Sequence, residues 1–205
     1  MVRLASGLMA AVVWLGCGGG GGGGTDGGMD GGCTEVGKSP PNLVRNYGFE
    51  CGGASPSEWA AVYGALEFVS GEGRNGTRAA KLTTDPGGAR FTYAPDLVSN
   101  GGQKTYCVTA WAKGTAPFMR IRVLRDEGGG GFTNFEFNSP VPRNWERVPP
   151  SITLQVPNAG SPKLQLVFEL QTNRGDGQNA MPGDVLFVDD VDAWESASGR
   201  CDEVR

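Results

Sequence analysis

From residue 42 onward the chain alternates apolar and polar residues with a period of two. The stretch "YCVTAWAKG" sets Tyr106, Val108 and Ala110 against Cys107, Thr109 and Trp111. "FMRIRVLRD" sets Met119, Ile121 and Val123 against Arg120, Arg122 and Leu124. "KLQLVFELQ" sets Leu164, Leu166, Phe168 and Leu170 against Gln165, Val167, Glu169 and Gln171. Successive side chains of a strand point to opposite faces, so each stretch predicts a strand with one face in a core. Further strands are expected at 42–50, 65–71, 79–84, 89–94, 132–138, 184–194 and 145–156, the last interrupted at Pro149-Pro150. Turn signals separate them: "DPGG", "SNGGQ", "DEGGGG", "PNAGSP", "NRGDGQN" and "MPGD". No helical period of any length appears. About ten short strands predict an all-β fold, a two-sheet antiparallel sandwich.

The first residues follow a different pattern. Arg3 precedes an apolar run, "LASGLMAAVVWL" over 4–15, of signal-peptide length and too short to span a membrane. It ends in Leu15-Gly16-Cys17, which resembles the lipobox of bacterial lipoproteins, with Trp14 where leucine is usual. The resemblance implies a signal peptide over 1–16 and a lipid on Cys17. Gly18 rather than Asp follows the cysteine, which points to the outer membrane. Residues 17–41 are glycine with sparse Asp and a closing Pro-Pro, and predict a disordered Gly-rich linker. The domain is expected over 42–195, and a tail with Cys201 over 196–205.

Composition narrows the chemistry. Lys+Arg 18 against Asp+Glu 22 gives a formal charge of -4, which argues against nucleic acid as a partner. There is no histidine, which removes Ser-His and Cys-His nucleophile systems and His-ligated zinc. With Cys17 lipidated, four of the five cysteines remain, an even set suited to an oxidising compartment. Three connectivities are open. The expected pairing is Cys33–Cys201, clasping both ends of the domain, with Cys51–Cys107 stapling one strand to another.

The order of landmarks carries a second resemblance. The domain opens on "NLVRNYGFE", followed by Trp59 and "EGRNGTRAAKL". Then come "GGQKTYCVTAWAKG", "NWERVPPSITLQVP", "KLQLVFEL" and "VLFVDDVDAW". This resembles the jelly-roll carbohydrate-binding modules found beside cellulases and xylanases, the CenC-like group of the family 4/9/22 type. The resemblance implies a galactose-binding-like jelly roll and a structural calcium ion. In that family the first Asp of "VDD" and residues of the first strand bind the ion. Carried over, this implies Asp189 and Glu50 as side-chain ligands, with carbonyls from Gly48 and the Asn75-Gly76 region. The alternative is an Asp–Arg pair, with Arg45 or Arg74 as partner.

Sugar binding needs aromatic platforms and planar polar side chains. The candidates are Trp111, Arg120, Arg122, Gln165, Glu169 and Gln171, with Trp59 on the rim beside Tyr63, Phe132 and Phe135. Each of these aromatics is also a candidate for core packing. "RGD" at 174–176 reads as hairpin-turn chemistry. The function expected is a non-catalytic cell-surface lipoprotein binding polysaccharide in a shallow groove. Alternatives are a structural or adhesive envelope protein using the sandwich for protein contact, and a glycoside hydrolase using Glu136 and Glu169.

Overall fold

The computed structural model describes residues 42–45, 47–50, 58–95, 97, 103–128, 131–149, 154–159 and 163–201. The expected signal peptide, Cys17, the Gly-rich linker, Cys33, Cys51 and residues 202–205 lie outside the described residues.

The described residues form two antiparallel sheets in a jelly-roll sandwich and contain no helix. One sheet has five strands: β1 (Trp59–Tyr63), β4 (Ala89–Tyr93), β10 (Leu164–Leu170), β6 (Phe118–Gly128) and β7 (Gly131–Pro140), in that order. The other runs β2 (Ala65–Ser70), β3 (Arg78–Thr83), β11 (Val185–Ser196), β5 (Gln103–Gly114) and β8 (Glu146–Val148). A sixth strand, β9 (Leu154–Ala159), pairs with the first half of β5.

The alternation read from the sequence holds in each of its three long strands. Tyr106, Val108 and Ala110 of β5, Ile121 and Val123 of β6, and Leu164, Leu166, Phe168 and Leu170 of β10 are fully buried in one core. Burying these side chains from both sheets supplies the main driving force for the sandwich. One local expectation fails. Residues 42–45 and 47–50 form no strand: Leu43 N–H donates to the Ala193 carbonyl and Val191 N–H to that of Tyr47, so they flank β11 through bends and a turn. Asn42 explains the departure, because its side chain takes up ladder positions, donating to the Val191 carbonyl and accepting from Ala193 N–H. β1 is not among the expected strands, because "WAAVY" is too short and too uniformly apolar to show a period.

The cysteine pairing is also corrected. Cys107 bonds Cys201, with Cα atoms 5.6 Å apart, in place of the expected Cys33–Cys201 and Cys51–Cys107. Cys107 lies on the outward face of β5, opposite Trp194 of β11, and residues 196–201 fold back over that face. The bridge and Trp194 form a small buried cluster apart from the main core.

Candidate functional site

The outward face of the five-stranded sheet gathers most of the expected polar residues. Strand parity points Arg120 and Arg122 of β6 and Gln165 and Glu169 of β10 to the same side. Gln171 follows in phase just beyond β10. Glu169 is the centre of the arrangement. Its Oε2 accepts from Arg120 at 2.8 Å and Arg122 at 3.1 Å, and its Oε1 accepts from the Tyr63 hydroxyl at 2.8 Å and Arg90 at 3.1 Å. Register explains the convergence, since Glu169 sits opposite Arg90 on one side and Arg120 on the other.

Only 4% of Glu169 is exposed. Burial alone would push its carboxyl up. The Tyr63 and Arg120 hydrogen bonds and the guanidinium charges outweigh that, and hold it down at about 2. A carboxyl held there is ionised at neutral pH and would not serve as the general acid of a hydrolase pair. Glu136 itself is paired with Arg120 at 3.3 Å. Sequence reading missed Arg90, whose contribution depends on cross-strand register with Glu169. The 89–94 alternation puts Arg90 on the outward side, but nothing local names its partner.

At one end of this face lies an open pocket of 390 Å³ between β6, β7 and the loop after β10. Phe118, Arg120, Glu136 and Asn138 line the sheet side, and Gln171, Asn173, Arg174 and Asp176 the loop side. The Arg174 guanidinium lies over the Phe118 ring, 3.8 Å from its centre, and pairs with Asp176 at 2.6 Å. The "RGD" triplet therefore pairs with itself, in a turn closed by Gly177 N–H donating to the Arg174 carbonyl. Sequence reading missed Phe118 as well; its signal is that it opens the β6 alternation in phase with Arg120.

Two expected platforms lie elsewhere. Trp59 is buried, its ring 5.1 Å from those of Phe49 and Tyr93 and 5.5 Å from that of Phe91, so it packs the core. Trp111 belongs to the six-stranded sheet, opposite Asp189, with the Arg74 guanidinium 4.0 Å from its ring centre. It shares no face with Arg120 or Glu169, because β5 and β6 sit in different sheets.

The acidic residues of "VDD" meet at a bulge. The register between β11 and β5 shifts between Asp189 and Asp192, and Asp190 takes a φ of 44°. The extra residue turns Val191 and Ala193 back to the core and leaves Asp189 2% exposed. Asp189 accepts backbone N–H groups from Arg74 and from Asp190, both at 2.8 Å. The Arg74 guanidinium goes to Asp190 at 3.2 Å, not to Asp189. Glu50 accepts from Arg78 N–H at 2.8 Å. A Cβ on Gly48 would stand 3.8 Å from Asp190 Oδ1 and 3.9 Å from Asp189 Oδ1, so this backbone runs between the acids. Gly76 lies in the Arg74 turn at a φ of 74°, in open space.

Burial pushes the Asp189 carboxyl up to about 6, and the charges of Asp190 and Glu50 add to the rise against the Arg74 N–H. An acid so placed favours a cation. Among the described residues no three acidic, His or Cys side chains form a grouped metal-ligand set. With Asp189 and Glu50 as carboxylate donors, a hard cation here would have to complete its shell with main-chain oxygens.

No protein-family model matches the sequence, and no curated protein matches it. Solved structures do match in fold. The CBM22-1 xylan-binding domain of Xyn10C from Paenibacillus barcinonensis aligns with a TM-score of 0.54 at 13% identity, covering 84% of this chain and 100% of that one. A family 16 carbohydrate-binding module aligns with a TM-score of 0.52 at 17% identity, over 75% of this chain and 99% of that one. The enzymatically active domain of tailspike protein 4 from bacteriophage CBA120 gives 0.50 at 14% identity; the match covers 76% of this chain but only 21% of the tailspike. The chain carries the jelly-roll sandwich fold seen in carbohydrate-binding modules.

Proposed function

We propose that this chain is a non-catalytic, lipid-anchored envelope protein whose jelly roll binds polysaccharide on the outward face of the five-stranded sheet. One observation carries the reading. Among the described residues, that face gathers guanidinium, carboxylate and amide groups beside an open pocket, with aromatic rings among them. Such groups recognise hydroxyls and the apolar faces of sugar rings. The xylan-binding domain that shares the fold supports the same use of the scaffold. Glu50 and Asp189, with the Gly48 and Gly76 carbonyls, would hold calcium, which would supply the positive charge that the buried Asp189 lacks. Lipid on Cys17 would tether the domain to the outer membrane, with residues 17–41 as spacer.

Calorimetry against xylan, β-glucans, galactan and peptidoglycan tests the binding claim. Saturable binding to one polysaccharide is expected, and a flat response across the panel refutes it. Labelling with a palmitate analogue should be lost in Cys17→Ser; persistent labelling would remove the anchor.

A further inference from the structure

Among the described residues, the middle of the polar face offers no ring for a sugar to rest on. Tyr63 is taken by Glu169 through its hydroxyl and by Arg90, 5.1 Å from its ring centre. Phe132, 59% exposed, stands opposite Asp126, at the other end of the β6–β7 ladder from Phe118. The guanidiniums of Arg90, Arg120 and Arg122 and the Tyr63 hydroxyl all bond the Glu169 carboxylate, and Arg90 Nε and Arg122 Nε are buried. A glycan lying across the sheet would find its centre occupied by these internal contacts.

The pocket at the Phe118 end differs on three counts. First, it has a wall, since the Arg174 guanidinium lies over the Phe118 ring and the two flat groups offer a surface against which C–H bonds of a sugar can pack. Second, its charges cancel: Arg120 is paired with Glu136, and Arg174 with Asp176. Amides of Asn138, Gln171 and Asn173 fill the remaining lining. Third, one side is closed by a loop with its own bonds. Ala180 N–H donates to the Gln171 carbonyl, and Arg174 N–H to Asn179 Oδ1. Its volume of 390 Å³ lies near the small end for ligand sites.

From these observations we infer that the pocket takes the terminal, uncharged sugar unit of a glycan, held by its hydroxyls and stacked on the Phe118–Arg174 wall. The inference rests on the glycan-binding reading and adds to it where the contact is made and to which part of the chain. Paired carboxylates and guanidiniums suit vicinal hydroxyls, and with Arg120 and Arg174 already paired the pocket holds no surplus cation for a uronate. The loop wall on one side favours a chain terminus over a chain that runs through.

The test is calorimetric titration of the full chain with xylo-, cello- and galacto-oligosaccharides from disaccharide to hexasaccharide. For the series that binds, affinity is expected to change by less than about twofold with length. Phe118→Ala and Asn173→Ala should each weaken binding about tenfold or more, while Glu67→Ala, on β2 of the opposite sheet, changes nothing. Asn173 sits on an exposed loop, so its variant reads the pocket even where Phe118→Ala disturbs folding. Affinity that climbs with each added unit, with Gln165→Ala as damaging as Phe118→Ala, would overturn the terminal pocket and leave glycan binding standing. Absence of binding to any oligosaccharide or polysaccharide would overturn both.

Discussion

Glu169 carries its charge among three guanidinium groups and a phenol, and this sets its response to acid and to mutation. The carboxyl lies near 4.5 in its ordinary state and about 2 in the fold. Its contribution is therefore complete above about pH 4.5 and is lost as pH falls toward 2, on the order of 3 kcal/mol in all. Glu169→Gln leaves the arginines without their common partner and is expected to cost about 3–5 kcal/mol, read by urea unfolding at pH 7. Asp189 runs the other way. Raised from 3.8 to about 6, it binds more protons folded than unfolded between those values, so the cation-free fold loses stability as pH rises through them. Calcium seated as proposed removes that penalty. Added calcium should raise the melting temperature more at pH 7 than at pH 4.5, and a melting temperature indifferent to chelator at pH 7 would count against the site.

At the scale of elements, β5 and β11 join the pieces. The Cys107–Cys201 bridge spans 94 residues of sequence and shields Trp194, which is 1% exposed. Cys201→Ser is expected to lose about 2–4 kcal/mol of stability. Tryptophan emission should shift to the red as water reaches Trp194, and an unchanged spectrum would mean the tail stays in place without the bond. The strands are legible because period-two alternation records burial residue by residue, as in "KLQLVFELQ". Partners across strands are not. Arg90 meets Glu169, and Arg74 covers Trp111, through register and turn geometry that no local window encodes. The bulge at Asp190 is hidden in the same way: Val191 returns to the core while Asp189 stays buried, and only the pairing with β5 allows both.

For the molecule as a whole, the two outward faces do different work. The five-stranded sheet presents its polar groups and the pocket; the six-stranded sheet carries Trp111, the acid cluster and the covered disulfide. Trp111→Ala is accordingly expected to leave glycan affinity within about twofold while lowering the melting temperature and the response to calcium. A loss of glycan binding in that variant would move the ligand to the six-stranded sheet and away from the Phe118 pocket. Trp59 shows why an aromatic offered as a sugar contact is ambiguous from sequence: its burial depends on Phe49, Phe91 and Tyr93, from three separate segments.

The disulfide also decides how the domain bears load. Cys201 is fastened to Cys107 within β5, which pairs with β11 on one side and with β8 and β9 on the other. Tension applied through residue 201 thus enters at an inner strand, where several ladders must shear together. Without the bond it would pull first on the last residues of β11 and unzip that strand one pair at a time. A pull on the residues that follow Cys201 is thereby borne by β5 and not by the end of β11.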